Sequence, residues 1–306
     1  PLLAQMVNDE DRHTIEPSWG ADDSNGHGTE LAGLALFGDL TPALSEDGVL
    51  SVPHRLESVK ILQGPGDNDG QSYGAITAEA VARVEISTQD RRRVFAMAVS
   101  STDGRDRGRP SSWSAEVDRL ACDYVGQGEM PRLFVLCAGN SQDPNAWSDY
   151  PASLSTNLVH DPGQAWNALT VGAYFALTTI SEDFGNEYTP IAAAGGLSPY
   201  TTTSSTWHPG WPFKPDVVME GGNVAIDGTG FTSQMDSLSL LTTNHKHHQR
   251  LFTLSWATSA STALAAGMAA RIQAAYPSFW PETIRALMVH SARWTQPMLD
   301  AFLDRM

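Results

Sequence analysis

Two rhythms of apolar and polar positions run along this chain. A helical spacing, with apolar residues three and four apart, marks residues 29–37 and 76–86. Residues 113–125 follow the same rhythm, with Ser112 placed as an N-cap. Residues 259–275 form a helix dense in alanine, and a further helix starts at Pro281, a residue preorganised for a first turn. Residues 294–306 also have helical character. Short continuous apolar runs at 94–99 and 133–137 read as buried strands, and 168–173 and 216–219 as further strands. Between them, residues 175–214 are rich in Gly, Pro, Ser and Thr and read as long loops. Fully apolar strands alternating with helices predict an α/β fold: a doubly wound, mainly parallel sheet with helices on both faces. No linker interrupts residues 1–306, so one domain is expected.

Composition narrows the function classes. With 306 residues and 41% apolar residues there is material for a sizeable core. The net charge of −16 argues against a nucleic-acid partner and against an anionic membrane surface. There is no apolar run long enough for a membrane span and no signal-peptide pattern at the start. Two cysteines, Cys122 and Cys137, cannot form a disulfide framework and suit a reducing, cytoplasmic compartment.

Three constellations carry chemistry. His27 sits between Gly26 and Gly28 at the mouth of a helix. Ser259 lies among small residues at the start of the alanine-rich helix, where free N–H groups and the helix dipole can stabilise an oxyanion. Asn140 follows a predicted strand's carboxyl end, the edge at which parallel sheets place ligands. Taken singly, each also fits an ordinary cap or turn.

In this order, the three motifs resemble the subtilisin-like serine proteases, the subtilases. The segment from Gly26 to Gly33 is similar to that family's histidine motif, Cys137-Ala138-Gly139-Asn140 to its oxyanion motif, and Ala257 through Gly267 to its nucleophile motif. Tyr150-Pro151-Ala152, Val171-Gly172-Ala173 and Lys214-Pro215-Asp216-Val217-Val218 add smaller matches. The resemblance implies a serine endopeptidase acting through an acyl-enzyme on a peptide or protein. His27 would be the general base, Ser259 the nucleophile, and Asn140 with the Ser259 N–H the oxyanion donors. It further implies that Ala98, Val99 and Ser100 pair with the extended substrate as part of a strand over 96–101. Cys137, Ala138 and Gly139 would line the pocket for the side chain before the cleaved bond. No cofactor or metal is expected; many subtilases bind calcium, but no site can be placed.

The family's aspartate motif, an apolar strand ending in D-T/S-G upstream of the histidine, has no counterpart here. Asp9, Asp11, Asp22 and Asp23 are the aspartates before His27, and the last two read as a solvated turn. Leu2-Leu3 resembles the residues just past that motif, so the aspartate strand is expected just upstream of Pro1. An opened core edge and weak activity of these 306 residues alone are expected in its absence. The alternative is a catalytically impaired, subtilase-like peptide-binding module. A nucleotide-binding enzyme of another class is disfavoured by the lack of a G-x-G-x-x-G or P-loop. Ala257 and Ala263 replace the family's usual Gly and Pro, and Glu30 stands where a His is common; a carboxylate there suits a helix's first turn.

Other features invite simpler readings. His245-Lys246-His247-His248 fits a surface loop better than a metal site. Asp67-Asn68-Asp69-Gly70 has a calcium-loop flavour but lacks the bidentate Glu. The basic islands at 91–93 and 105–109 read as solvated loops or, more sharply, as docking patches. For His13, His54, His160 and His208 the sequence names no partner.

Overall fold

The computed structural model describes residues 2–64, 66–68, 71–101, 108–141 and 143–302. Strand β4 (Leu133–Cys137) shows how its centre is organised, for all five of its residues are buried. Successive side chains of a strand point to opposite faces. Leu133 and Val135 accordingly join one apolar cluster with Ala265, Ala269, Ile284 and Met288, while Phe134 and Leu136 join another with Val81, Trp113 and Val117.

Parallel neighbours extend β4 into a four-stranded sheet: β3 (Val94–Met97), β4, β5 (Leu169–Tyr174) and β7 (Val217–Glu220), in that order. Helices α6 (Ala257–Ala275) and α7 (Pro281–Ser291) cover one face; α3 (Tyr73–Ser87) and α4 (Ser112–Ala121) cover the other. This is the doubly wound arrangement that the apolar strands predict. Smaller elements complete it: helices α1 (His27–Phe37), α2 (Leu40–Ser45), α5 (Pro144–Ser148) and α8 (Gln296–Phe302), a parallel pair β1 (Arg12–Thr14) and β2 (Ser58–Lys60), an antiparallel sheet of β6 (Tyr188–Pro190), β8 (Val224–Asp227) and β9 (Thr232–Gln234), and an antiparallel hairpin of β10 (Leu240–Thr243) and β11 (Phe252–Ser255).

Several boundaries differ from expectation. The strand expected over 94–99 ends at Met97, so 98–101 are not strand, and α4 ends at Ala121. Ser111, not Ser112, is its N-cap: the Ser111 hydroxyl accepts from Ser114 N, and the Ser114 hydroxyl accepts from Ser111 N, a reciprocal box. The loop-rich stretch 175–214 contains the short strand β6.

The β1–β2 pair stands apart from the main sheet. Between them lies a cavity of about 680 Å³, lined by Leu56, Glu57 and Val59 on the β2 side and by Val94, Phe95, Ala96 and Met97 on the β3 side. Its walls include Val81 and Val84 of α3 and Ala266 and Gly267 of α6. The cavity runs along β3, the edge strand of the main sheet. Arg91 and Arg93 of the basic triplet at 91–93 tie its rim together, while Arg92 is exposed. Arg91 donates to Asp11 and Glu57, both at 2.5 Å; Arg93 donates to Glu57 at 2.5 Å and to the Val84 and Thr88 carbonyls. Residues 105–107 and Asp69-Gly70 lie outside the described residues.

Candidate active site

Helix α1 starts at His27 because of the turn before it. Gly26 has φ +108°, and a Cβ there would meet His245 Nδ1 at 2.5 Å, so only glycine fits. Gly26 has no side chain to cap the helix, and Asp23 does so from three residues back. Its Oδ1 accepts from Asn25 N (3.0 Å) and Gly26 N (2.7 Å), and its Oδ2 from Thr29 N (2.8 Å) and Thr29 Oγ1 (2.7 Å). Burial pushes this carboxyl's pKa up, but the four hydrogen bonds outweigh it and hold the group below its ordinary range. The solvated-turn reading thus holds for Asp22, which meets Arg12 at the surface, and fails for Asp23.

Helix α6 presents Ser259 on its first turn, where backbone N–H groups have no partner within the helix. Thr258, Ser261 and Thr262 are hydroxyl neighbours, and each spends its hydroxyl on a hydrogen bond: to Asn140 Oδ1 (2.6 Å), to Glu220 O (3.0 Å) and to Thr258 O (2.6 Å). Among the described residues, Ser259 Oγ makes no such bond, which leaves it available. Ala257, in the place of the family's usual Gly, has φ +66°. Its N–H donates to Gly221 O at 2.7 Å, and its methyl packs with Trp147, Tyr200 and Val224.

Asn140 follows β4 after a turn at Gly139, which has φ +98°. Its Oδ1 accepts from both Thr258 N (2.9 Å) and Thr258 Oγ1 (2.6 Å). The oxygen is thereby committed, and the amide NH₂ is the end left for another acceptor.

These three residues share one cavity of about 380 Å³, lined by His27, Asn140 and Ser259 together with Glu30, Trp147, Tyr200, Gln234 and Trp256. Among the described residues no hydrogen bond links the His27 ring to Ser259. Nδ1 of that ring faces Glu30 Oε2 at 3.7 Å. Tyr200 is 2% exposed, and its hydroxyl lies near the Gln234 side chain without a hydrogen bond of good geometry. Burial raises the pKa of this phenol.

The six residues expected to hold substrate are not on this cavity. Three of them, Ser100, Ala138 and Gly139, instead meet His160: Ser100 Oγ lies 3.4 Å from its Nδ1, the His160 N–H donates to Ala138 O at 2.8 Å, and a Cβ on Gly139 would strike its ring. Cys137 is fully enclosed, and burial pushes its thiol pKa up to about 11, so it is no nucleophile. Tyr200 and Gln234 carry no motif signal, and only the fold brings them to the cavity; Trp256 sits three residues before Ser259. Among the described residues no group of three or more His, Cys, Asp or Glu could hold a metal ion, and His245–His248 lies in the turn between β10 and β11. No helix there is long and apolar enough to cross a membrane.

A family model described as the subtilase family matches residues 1–303. The chain belongs to the subtilase family. Solved structures with a similar fold include sphericase (TM-score 0.54, 21% identity, 89% of this chain and 70% of that one). The S41 psychrophilic protease gives a TM-score of 0.53 at 21% identity, over 89% of this chain and 70% of that one. A cold-adapted subtilisin-like serine proteinase gives 0.53 at 15% identity, over 91% and 74%. Among curated sequences, the uncharacterized protein y4bN of Sinorhizobium fredii (strain NBRC 101917 / NGR234) is 29% identical over an alignment of 226 residues that covers 69% of this chain and 48% of that protein. The subtilase domain therefore spans about half the length of the curated relative it matches.

Proposed function

We propose that this subtilase is a serine endopeptidase in which Ser259 attacks the scissile carbonyl and His27 takes its proton, later passing it to the leaving amine. The Asn140 amide and the Ser259 N–H hold the oxyanion. The observation that carries this reading is the convergence of His27, Asn140 and Ser259, which lie far apart in sequence, on one cavity. The engagement of the Thr258, Ser261 and Thr262 hydroxyls supports Ser259 as the nucleophile, and the fixed Asn140 oxygen supports its NH₂ as a donor.

We further propose that the carboxylate that orients His27 arrives on an apolar strand seated between β2 and β3. The 680 Å³ cavity between those two strand edges has the lining such a strand needs: Val59, Ile61, Val94 and Phe95 at its sides and alanines of α6 beneath. Without that carboxylate, turnover falls by about 10⁴ in related chemistry, because the imidazole loses its correct tautomer. The test is fluorophosphonate labelling with peptide mapping, on residues 1–306 and on a chain extended upstream. An adduct on Ser259 in the extended protein, abolished by His27→Ala, supports the reading. Absence of adduct in both, with folding verified by circular dichroism, overturns it in favour of a peptide-binding module.

A further inference from the structure

We propose that Glu30 makes the cavity beside Ser259 a pocket for a cationic side chain, lysine or arginine, on the residue just after the cleaved bond. This rests on the peptidase reading above. The lining fixes the side of the cut. Of the residues expected to hold the acyl half of the substrate, Ala98, Val99, Ser100, Cys137, Ala138 and Gly139, none borders this cavity, and Ser100, Ala138 and Gly139 meet His160 instead. What borders it is His27, which hands its proton to the departing amine, and so the cavity lies on the leaving-group side.

Its chemistry selects the ligand. Among the described residues, Glu30 is its only carboxylate, and no Lys or Arg lines it. The Glu30 side chain is 25% exposed, and its charged partner among the described residues is the His27 ring at 3.7 Å, longer than a hydrogen bond. Its acceptor capacity is therefore largely unspent. Trp147, Tyr200 and Trp256 offer aromatic walls, against which the aliphatic stem of a long cationic side chain packs and its head is attracted. The Tyr200 hydroxyl, buried without a partner, and Gln234 add polar atoms beside Glu30. An acidic side chain would meet the Glu30 charge, and a leucine would leave Glu30 desolvated and unpaired.

The experiment uses the natural full-length protein and internally quenched peptides with one common acyl half. The residue after the cut is Arg, Lys, Leu or Glu, and kcat/KM is measured for each. Wild type should favour Arg and Lys over Leu by about 10- to 100-fold, the scale of a charged hydrogen bond, with Glu poorest. Glu30→Gln, close to isosteric, should cut the Arg-to-Leu ratio by about tenfold or more. If Glu30 only steadies His27, all four substrates fall together and the ratio holds, which overturns the proposal. Equal wild-type rates for Arg and Leu also overturn it, and need no variant. Either result alongside a fluorophosphonate adduct on Ser259 leaves the peptidase reading intact; no adduct removes both.

Discussion

Replacing Asp23 should loosen the helix that carries His27, in amounts that can be worked out. The half-buried carboxylate accepts four hydrogen bonds, two fixing the Asn25–Gly26 turn and two capping α1 at Thr29. Hydrogen bonds to a charged group contribute about 1.5–3 kcal/mol each in favourable cases, and loss of a helix cap alone costs about 0.5–2 kcal/mol. The four share one partly solvated carboxylate, so their losses do not add in full. Asp23→Ala should therefore destabilise the fold by about 2–4 kcal/mol. Asp23→Asn keeps one acceptor oxygen and should cost about half as much. Urea denaturation at pH 7 measures both, with midpoints falling in the order wild type, Asn, Ala. The pH dependence adds a signature. The folded carboxyl titrates below its ordinary value, so its contribution is complete above the ordinary pKa of about 3.9 and is lost as pH falls through the lower folded value. The gap between wild type and Asp23→Ala should therefore close in acid and be widest above about pH 5. A gap below about 0.5 kcal/mol at pH 7, or one that widens on acidification, would refute the account.

Other perturbations test separate links. Asn140→Ala should lower kcat by about 10²–10³ while the fluorophosphonate still finds Ser259, since an oxyanion donor and the acceptor for Thr258 are lost but His27 and Ser259 remain. Gly26→Ala forces φ +108° on a side chain and drives its Cβ into His245; thermal unfolding should show a loss of at least about 1–2 kcal/mol, with activity falling in step. Lys214 has a fully enclosed side chain that donates to Ala168 O at 3.0 Å and Asp216 Oδ2 at 2.7 Å. Burial lowers its pKa, against the pull of Asp216. Lys214→Ala should cost about 3–5 kcal/mol in denaturation, because Asp216 keeps its charge but loses a partner.

Much of the scaffold was legible in the pattern of residues, for reasons the structure makes clear. Strand β4 is apolar at every position because helices cover both its faces, so its bounds were readable to the residue. Strands β8 to β11 were not read, since each pairs antiparallel in segments of mixed polarity and none exceeds four residues. Sequence also could not separate Asp22 from Asp23: both lie in a polar turn, and what distinguishes them is that Asp23 accepts from Asn25, Gly26 and, six residues on, Thr29. His27, Asn140 and Ser259 were legible because each sits in a local motif whose backbone constraints are themselves sequence signals. Tyr200 and Gln234 were silent, because a cavity wall is assembled from distant segments, and no local pattern records that meeting.

The meeting of α1 and α6 has a consequence for heat inactivation. A Cβ on Gly267 would strike the Ala35 carbonyl, so the two helices touch backbone to backbone. Leu34, Ala260 and Ala263 fill the same seam. The spacing between the helices that carry His27 and Ser259 is thus pinned at Gly267 by main chain against main chain, with the seam's side chains packed beside that contact. Warming can excite rotamers elsewhere without retuning that spacing. Catalytic competence in this subtilase should persist up to the point where the seam parts and then vanish with the fold itself, leaving no temperature interval in which the protein is folded but catalytically detuned.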